Sequence, residues 1–531
     1  MIEKTNPNEN PNTTPTSDVF HAFDPASGEP IEPGFAESTG TEIATAAKLA
    51  ARAFDEMVNF PPERRAELLA RVAEKMRFHE PEIVDRCVLE TGYLAQRVIG
   101  EFRRATGQLD LFADLTRRRV WDERQVDPGD PNRELAPGAI VPRPEMRRRL
   151  VPVGPVAVFG ACNFPLAISV VGNDFVAAIA VGCPVIVKSH PSHPGTCDLL
   201  GRIVTDVVAE LGFPAGTFSL LHGRRPSTSI ALVQHPAIAS VGFTGSPVGG
   251  RAIAEAALQR PRPIPVFAEL GSTNPVFLAP AAVDQDCETI ATGFAESLRF
   301  GNGHMCTKPG VVVMLDRQSE SFIERVTEVM AGQAPLPMLS GSVVEAFDQG
   351  VVDLEQNSGV QKLFGPANRT NLANPRNSSE ATGPWHRGPH WFGTDAETAI
   401  DNQDLHRSGL LHRETFGPVS LLVRCRDEAE MLAVATRFEG SLTTTLHAGE
   451  GDETFTSRWL PIAERFAGRI VFNGWPTGME IGAATQHGGP YPASLDGNST
   501  SVGHASLRRF VRPVCYQNWP AGCPGDPIAN N

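Results

Sequence analysis

Residues 301–310 read "GNGHMCTKPG", so Cys306 sits among three glycines directly after an apparent helix, "ETIATGFAESLRF". A cysteine that only fills a core needs no glycines around it. A thiol that a substrate and a cofactor must approach does. Its thiolate adds to electrophilic carbon even when only a few per cent is ionised at neutral pH. Further stretches stand where chemistry is expected. "FGACNFP" follows the strand "VAVFG", in place of a GxGxxG fingerprint. The strand "PVIVKSH" ends on Lys188, with no acidic residue through "KSHPSHPG". "FTGS" (243–246) is followed by Gly249 and Gly250, and then come "ELGSTNP" (269–275) and "ETFGP" (414–418).

The elements that must hold these residues alternate. Residues 42–118 carry apolar side chains at three-to-four spacing in "TEIATAAKLAARAFDEM", "PPERRAELLARVAEKMRFH" and "PEIVDRCVLETGYLAQRVIGEFRRATGQLDLFADL", with prolines at the starts. "GAIVPRPEMRRRLVPVGPVAVFG" reads as strands. From there strand and helix signals alternate through "PVFAELGS", and this βαβ order predicts a mostly parallel, doubly wound sheet. A second α/β region begins near residue 284 and runs through "GVVVML", "PVSLLVRC", "EAEMLAVATRF" and "GRIVFNG". The stretch 365–395 is rich in turn formers and is expected to be a long surface loop. Its two glycosylation sequons, at Asn368 and Asn377, carry no meaning in a cytoplasmic chain.

The 531 residues are long enough for two or three domains, and 41% hydrophobic with 20% charged residues is an ordinary soluble composition. A net charge of −14 argues against a nucleic-acid or anionic-membrane binder, because both partners are repelled. Nine scattered cysteines suit free thiols in a reducing compartment, and neither they nor the histidines have metal-ligand spacing. No metal is expected. The first twenty residues lack a secretory apolar core, and no run approaches a membrane span of about 18 residues. The expectation is a cytoplasmic protein with a disordered tail over residues 1–19.

The ordered set of motifs resembles the aldehyde dehydrogenase superfamily over residues 20 to 515. "KSHPSHPGT", the cysteine followed by "TKPG", and "QHGGPYPAS" look most like its 2-oxoglutarate semialdehyde (2,5-dioxopentanoate) and NADP-linked fatty aldehyde branch. The resemblance implies an oxidoreductase turning an aldehyde into a carboxylate through a thiohemiacetal and a thioester. Cys306 matches the nucleophile, Glu269, 37 residues upstream, the general base for thioester hydrolysis, and Asn163 the oxyanion donor beside the Cys306 N–H.

For the cofactor, the resemblance assigns Lys188, His190, Arg224, Gly245, Ser246, Gly249, Leu270, Glu414 and Phe416. Where NAD-preferring relatives commonly carry a ribose-binding glutamate, this chain has Pro191. NADP is therefore expected, with NAD as a second cofactor. Phe164, His304 and His487 are expected along the substrate tunnel. His304 stands where many members have glutamine, and Lys308 also departs from the branch, so both bear on which aldehyde is preferred. "EFRRATG" and Arg299 offer arginines for a distal carboxylate.

The implied architecture is a Rossmann-like cofactor domain (20–136 and 154–283), an α/β catalytic domain (284–499) and oligomerisation strands (137–153 and 500–518). It implies a homodimer or homotetramer. The leading substrate is 2-oxoglutarate semialdehyde. A fatty or general aliphatic aldehyde dehydrogenase, and a non-catalytic nucleotide-binding relative, remain as alternatives at this point.

Overall fold

Four helices precede the first buried strand: Gly40–Met57, Pro62–Phe78, Glu80–Thr91 and Ala95–Arg117. The computed structural model describes residues 19–366, 383–401 and 409–520. The first helix opens with a capping box between Thr39 and Glu42 and buries Ile43, Ala46, Ala47, Ala50, Ala53 and Met57, a stripe at helical spacing. The apolar pattern over 81–115 does not form one helix. Gly92, with φ of 65°, closes the third helix, and a side chain there would meet Pro337 at 2.7 Å.

The first large sheet has five parallel strands in the order Val266–Glu269, Ser240–Thr244, Val156–Phe159, Val185–Lys188 and Phe218–Leu221. Val156–Phe159 and Val185–Lys188 are buried at every position, as a sheet covered on both faces requires. Their carboxyl ends bring Lys188, Gly245, Ser246 and Glu269 to one edge, where ligands of open α/β sheets bind.

The second sheet has seven strands in the order Gln361–Phe364, His390–Asp395, Val419–Cys425, Val311–Leu315, Val276–Leu278, Ser441–His447 and Ala467–Phe472. Only the first pair is antiparallel. Part of the stretch expected as a surface loop is therefore core strand: Trp391 and Phe392 are fully buried in His390–Asp395. Flanking prolines, glycines and histidines hid a short apolar run. Asn368 and Asn377 lie outside the described residues, as does the N-terminal tail up to residue 18.

A third sheet pairs Met146–Pro152 antiparallel with both Val511–Gln517 and Gln125–Asp127. The architecture is α/β, with a Rossmann-like sheet, a second α/β sheet and this small β element. Among the described residues, no helix is long and apolar enough to cross a membrane.

Candidate active site

The cysteine loop is built by backbone that few residues tolerate. After helix Pro280–Arg299, Gly301, Asn302 and Gly303 take φ of 59°, 55° and 69° in succession. A side chain at Gly303 would come within 2.3 Å of the Gly417 carbonyl carbon, so glycine is required there. Asn302 fits the left-handed conformation and donates Nδ2–H to the carbonyl of Leu336 at 2.9 Å. Past the turn, Asn274 clamps the loop: its Nδ2 donates to the carbonyls of Cys306 at 2.8 Å and Lys308 at 2.9 Å.

Two side chains from distant segments, His487 and Glu269, converge on the thiol, and Ser501 backs the carboxylate. His487 Nε2 lies 3.4 Å from Cys306 Sγ and 3.0 Å from Glu269 Oε1. Ser501 Oγ donates to the other carboxylate oxygen at 2.5 Å. Burial and the Glu269 charge push the Cys306 thiol well above its ordinary range, and Arg104 acts in the opposite sense. Burial also pushes Glu269 up, but the His487 imidazole, Ser501 and Cys306 outweigh it and hold the carboxyl below its usual range. The resting site is thus a protonated thiol beside a carboxylate, with one imidazole nitrogen facing both. The sulfur, nitrogen and oxygen lie within 4.8 Å of one another, a set with the donor chemistry of a zinc ligand cluster that sequence spacing could not reveal.

The floor of the site runs through Asn163. Its Nδ2 donates to the His304 carbonyl at 2.9 Å, and its own carbonyl accepts from Arg97 Nη2 at 3.0 Å. His304, expected along a tunnel, is fully enclosed between Tyr93 and Phe416, with ring centres 6.4 and 5.3 Å away. Burial and the Arg97 charge pull it down to about 3, so it is a neutral ring at working pH. Phe164 packs under the guanidinium groups of Arg97 and Arg104, at 5.5 and 5.7 Å. Lys308 is buried and donates Nζ–H to the carbonyls of Thr415 at 3.2 Å and Val419 at 2.6 Å. Its ammonium ties the cysteine loop to the segment carrying Glu414.

Lys188, His190, Arg224, Gly245, Ser246 and Gly249 line one cavity of about 290 Å³, with Phe159, Ile230, Phe243 and Ile253 as apolar walls. Ser246 caps helix Pro247–Leu258, accepting from Gly249 N–H at 3.2 Å. Burial lowers Lys188 to about 8. His190 Nδ1 accepts from the Ser192 N–H at 3.2 Å, which leaves its proton on Nε2. Leu270, Glu414 and Phe416 stand apart from this cavity. Leu270 packs over Gly250, where a side chain would meet it at 2.2 Å, and the Glu414 carboxylate covers Gly271 at the same distance. Burial raises Glu414 to about 7.

These features have counterparts in known proteins. The aldehyde dehydrogenase family pattern matches residues 13–345. The alpha-ketoglutaric semialdehyde dehydrogenase 2 of Azospirillum brasilense is 40% identical over 94% of this chain and 92% of its own length. The chain belongs to the aldehyde dehydrogenase family. The alpha-ketoglutaric semialdehyde dehydrogenase of Acinetobacter baylyi is 36% identical, over 91% of this chain and 88% of its own. Among solved structures, a methylmalonate-semialdehyde dehydrogenase from Oceanimonas doudoroffii superposes with a TM-score of 0.77 at 18% identity, covering 96% of each chain. The protein is an oxidoreductase of the aldehyde dehydrogenase type, and enzymes of this family use NAD or NADP.

Some residues of this candidate site carry little or no signal in the sequence. Glu37 accepts from the N–H groups of Arg224 and Arg225, each at 3.0 Å, and fixes the loop at the cavity mouth. Ser501 and Asn274 act through contacts made across the fold. Only Asn274 left a trace, as the asparagine before proline in "ELGSTNP".

Proposed function

We propose that the enzyme oxidises 2-oxoglutarate semialdehyde to 2-oxoglutarate, with Cys306 as nucleophile, NADP as the preferred cofactor and NAD as the second. The observation that carries the reaction chemistry is the Cys306–His487–Glu269 contact set. The substrate rests on the relatives at 40% and 36% identity, both bearing the alpha-ketoglutaric semialdehyde dehydrogenase name.

As Cys306 Sγ adds to the aldehyde carbon, its proton passes to His487 Nε2, and the Glu269 carboxylate stabilises the imidazolium that forms. The new alkoxide is held by the Cys306 N–H, which has no acceptor among the described residues, and by the second N–H of the Asn163 amide. Bound NADP would supply the acceptor for the hydride that the thiohemiacetal carbon loses. The acyl group is then left as a thioester on Sγ. Water attacks it and gives its proton to Glu269, whose carboxylate Ser501 fixes, and the departing Cys306 thiolate takes back the proton held on His487.

The cavity beside Lys188 fits a dinucleotide phosphate in chemistry. Apolar walls suit an adenine, the helix cap at Ser246 suits a pyrophosphate, and Lys188, Arg224 and the His190 Nε2–H meet a 2′-phosphate. Pro191 puts no carboxylate there to repel it. Glu414 serves the nicotinamide ribose and Phe416 the nicotinamide ring. Phe164 lines the substrate path. The domain limits implied by the resemblance, a cytoplasmic location, and assembly as a homodimer or homotetramer through the Met146–Pro152 and Val511–Gln517 sheet belong to the same reading.

A panel of semialdehydes, aliphatic and fatty aldehydes assayed with NADP and NAD tests it. The semialdehyde with NADP should give the highest kcat/KM. A higher value for a long-chain aldehyde would replace the substrate, and binding without turnover on the whole panel would replace the reaction.

A further inference from the structure

Of four arginines considered for the tail of a substrate, three are tied into the fold by hydrogen bonds to backbone carbonyls. Arg97 donates Nη2–H to the Asn163 carbonyl, lies over the Tyr93 ring at 3.4 Å and faces Glu101 at 4.0 Å. Arg299, one candidate for a distal carboxylate, donates to the Ala334 carbonyl at 3.1 Å, on an exposed face. Arg469 spends Nη1 and Nη2 on the carbonyls of Gly478 and Pro476.

Arg104 is different. It lies two turns beyond Arg97 on helix Ala95–Arg117 and therefore on the same face. It is half-buried, its Nε is buried without a hydrogen-bond partner, and among the described residues it has no ion pair. Its guanidinium rests 5.7 Å from the Phe164 ring, next to Asn163, and its charge reaches the Cys306 thiol. A partly desolvated cation without an anion is costly unless a ligand completes it.

We infer that Arg104 recognises a carboxylate at the far end of the aldehyde and so sets a preference for acid semialdehydes over neutral aldehydes of equal length. The inference rests on the reading that Cys306 attacks an aldehyde, and it adds the residue that selects its tail. Guanidinium binds carboxylate through two parallel hydrogen bonds, which fixes orientation as well as charge. A neutral alkyl end leaves those donors unmet, which disfavours fatty aldehydes at the same position.

The test compares wild type, Arg104→Gln and Arg104→Lys on 2-oxoglutarate semialdehyde, glutaric semialdehyde and pentanal, with NADP reduction as readout. In Arg104→Gln, the kcat/KM ratio of acid to neutral substrate should fall about 10- to 100-fold, chiefly through KM. Arg104→Lys should recover part of it. A ratio that holds while both substrates lose in proportion would make Arg104 structural and overturn the inference. If wild type oxidises glutaric but not 2-oxoglutarate semialdehyde, the proposed substrate falls, and the Arg104→Gln ratio on glutaric semialdehyde still decides the inference. A wild type that prefers pentanal to both acids overturns the two together.

Discussion

His487 places Nε2 3.4 Å from Cys306 Sγ, and the same nitrogen faces Glu269 at 3.0 Å. A half-buried thiol that is hard to ionise therefore has an imidazole positioned to take its proton. Replacing His487 by Asn should lower kcat/KM about 10²- to 10⁴-fold. The rate of Cys306 alkylation by iodoacetamide should then rise only at more alkaline pH than in wild type. An unchanged alkylation profile would leave His487 without a part in thiol activation.

Asn274 is the second structural hinge of the account. Its Nδ2 serves the buried carbonyls of Cys306 and Lys308, and its Oδ1 accepts from Thr443 and Ser272. Asn274→Ala strands several of these groups, and each unsatisfied buried group costs about 1–3 kcal/mol. A loss of about 3 kcal/mol is expected in denaturant unfolding, together with a fall in kcat from a loosened cysteine loop. Asn274→Asp restores the acceptor but not the donor and should recover little.

Cofactor affinity should depend on pH in two limbs. Glu414, raised to about 7 by burial, accepts ribose hydroxyls more strongly once ionised, so affinity rises as pH passes that value. Lys188, lowered to about 8 by burial, loses its charge above that value, and binding of a 2′-phosphate weakens. Titrations of the Kd should give a bell for NADP and a shallower alkaline limb for NAD. Glu414→Gln should flatten the acid limb for both. Parallel alkaline limbs would separate Lys188 from the phosphate.

Much of this site was legible because its residues are anomalous for their surroundings. Glycines around Cys306, a carboxylate inside the apolar strand "VFAE" and a lysine ending "VIVK" have no simple packing reason. The helical pattern was legible too, except where Gly92 stops a helix that periodicity alone continues. Strand Ser441–His447 was not singled out. Its Thr443, Thr444 and Thr445 look polar, yet all are fully buried, and β-branching rather than hydrophobicity suits them to a strand. His304 and Lys308 drew attention by their rarity, but rarity did not say where they point. One is enclosed between aromatic rings, and the other is bonded to backbone carbonyls. The arginines of "EFRRATG" were offered for a distal carboxylate without a sign of which one faces the site, and Glu37 was out of reach because its role depends on contacts across the folded chain. Glu37 holds a loop 187 residues away.

The central claim is that Cys306 carries the acyl group and that Glu269 helps release it. Glu269→Gln keeps the shape of the side chain and removes its charge. Mixed with 2-oxoglutarate semialdehyde and NADP, this variant should give one rapid turnover of NADPH and then nearly stop. Intact mass should show one added 2-oxoglutaryl group, located on Cys306 by peptide mapping. Steady turnover at the wild-type rate, or an acyl group on any other residue, would contradict the account.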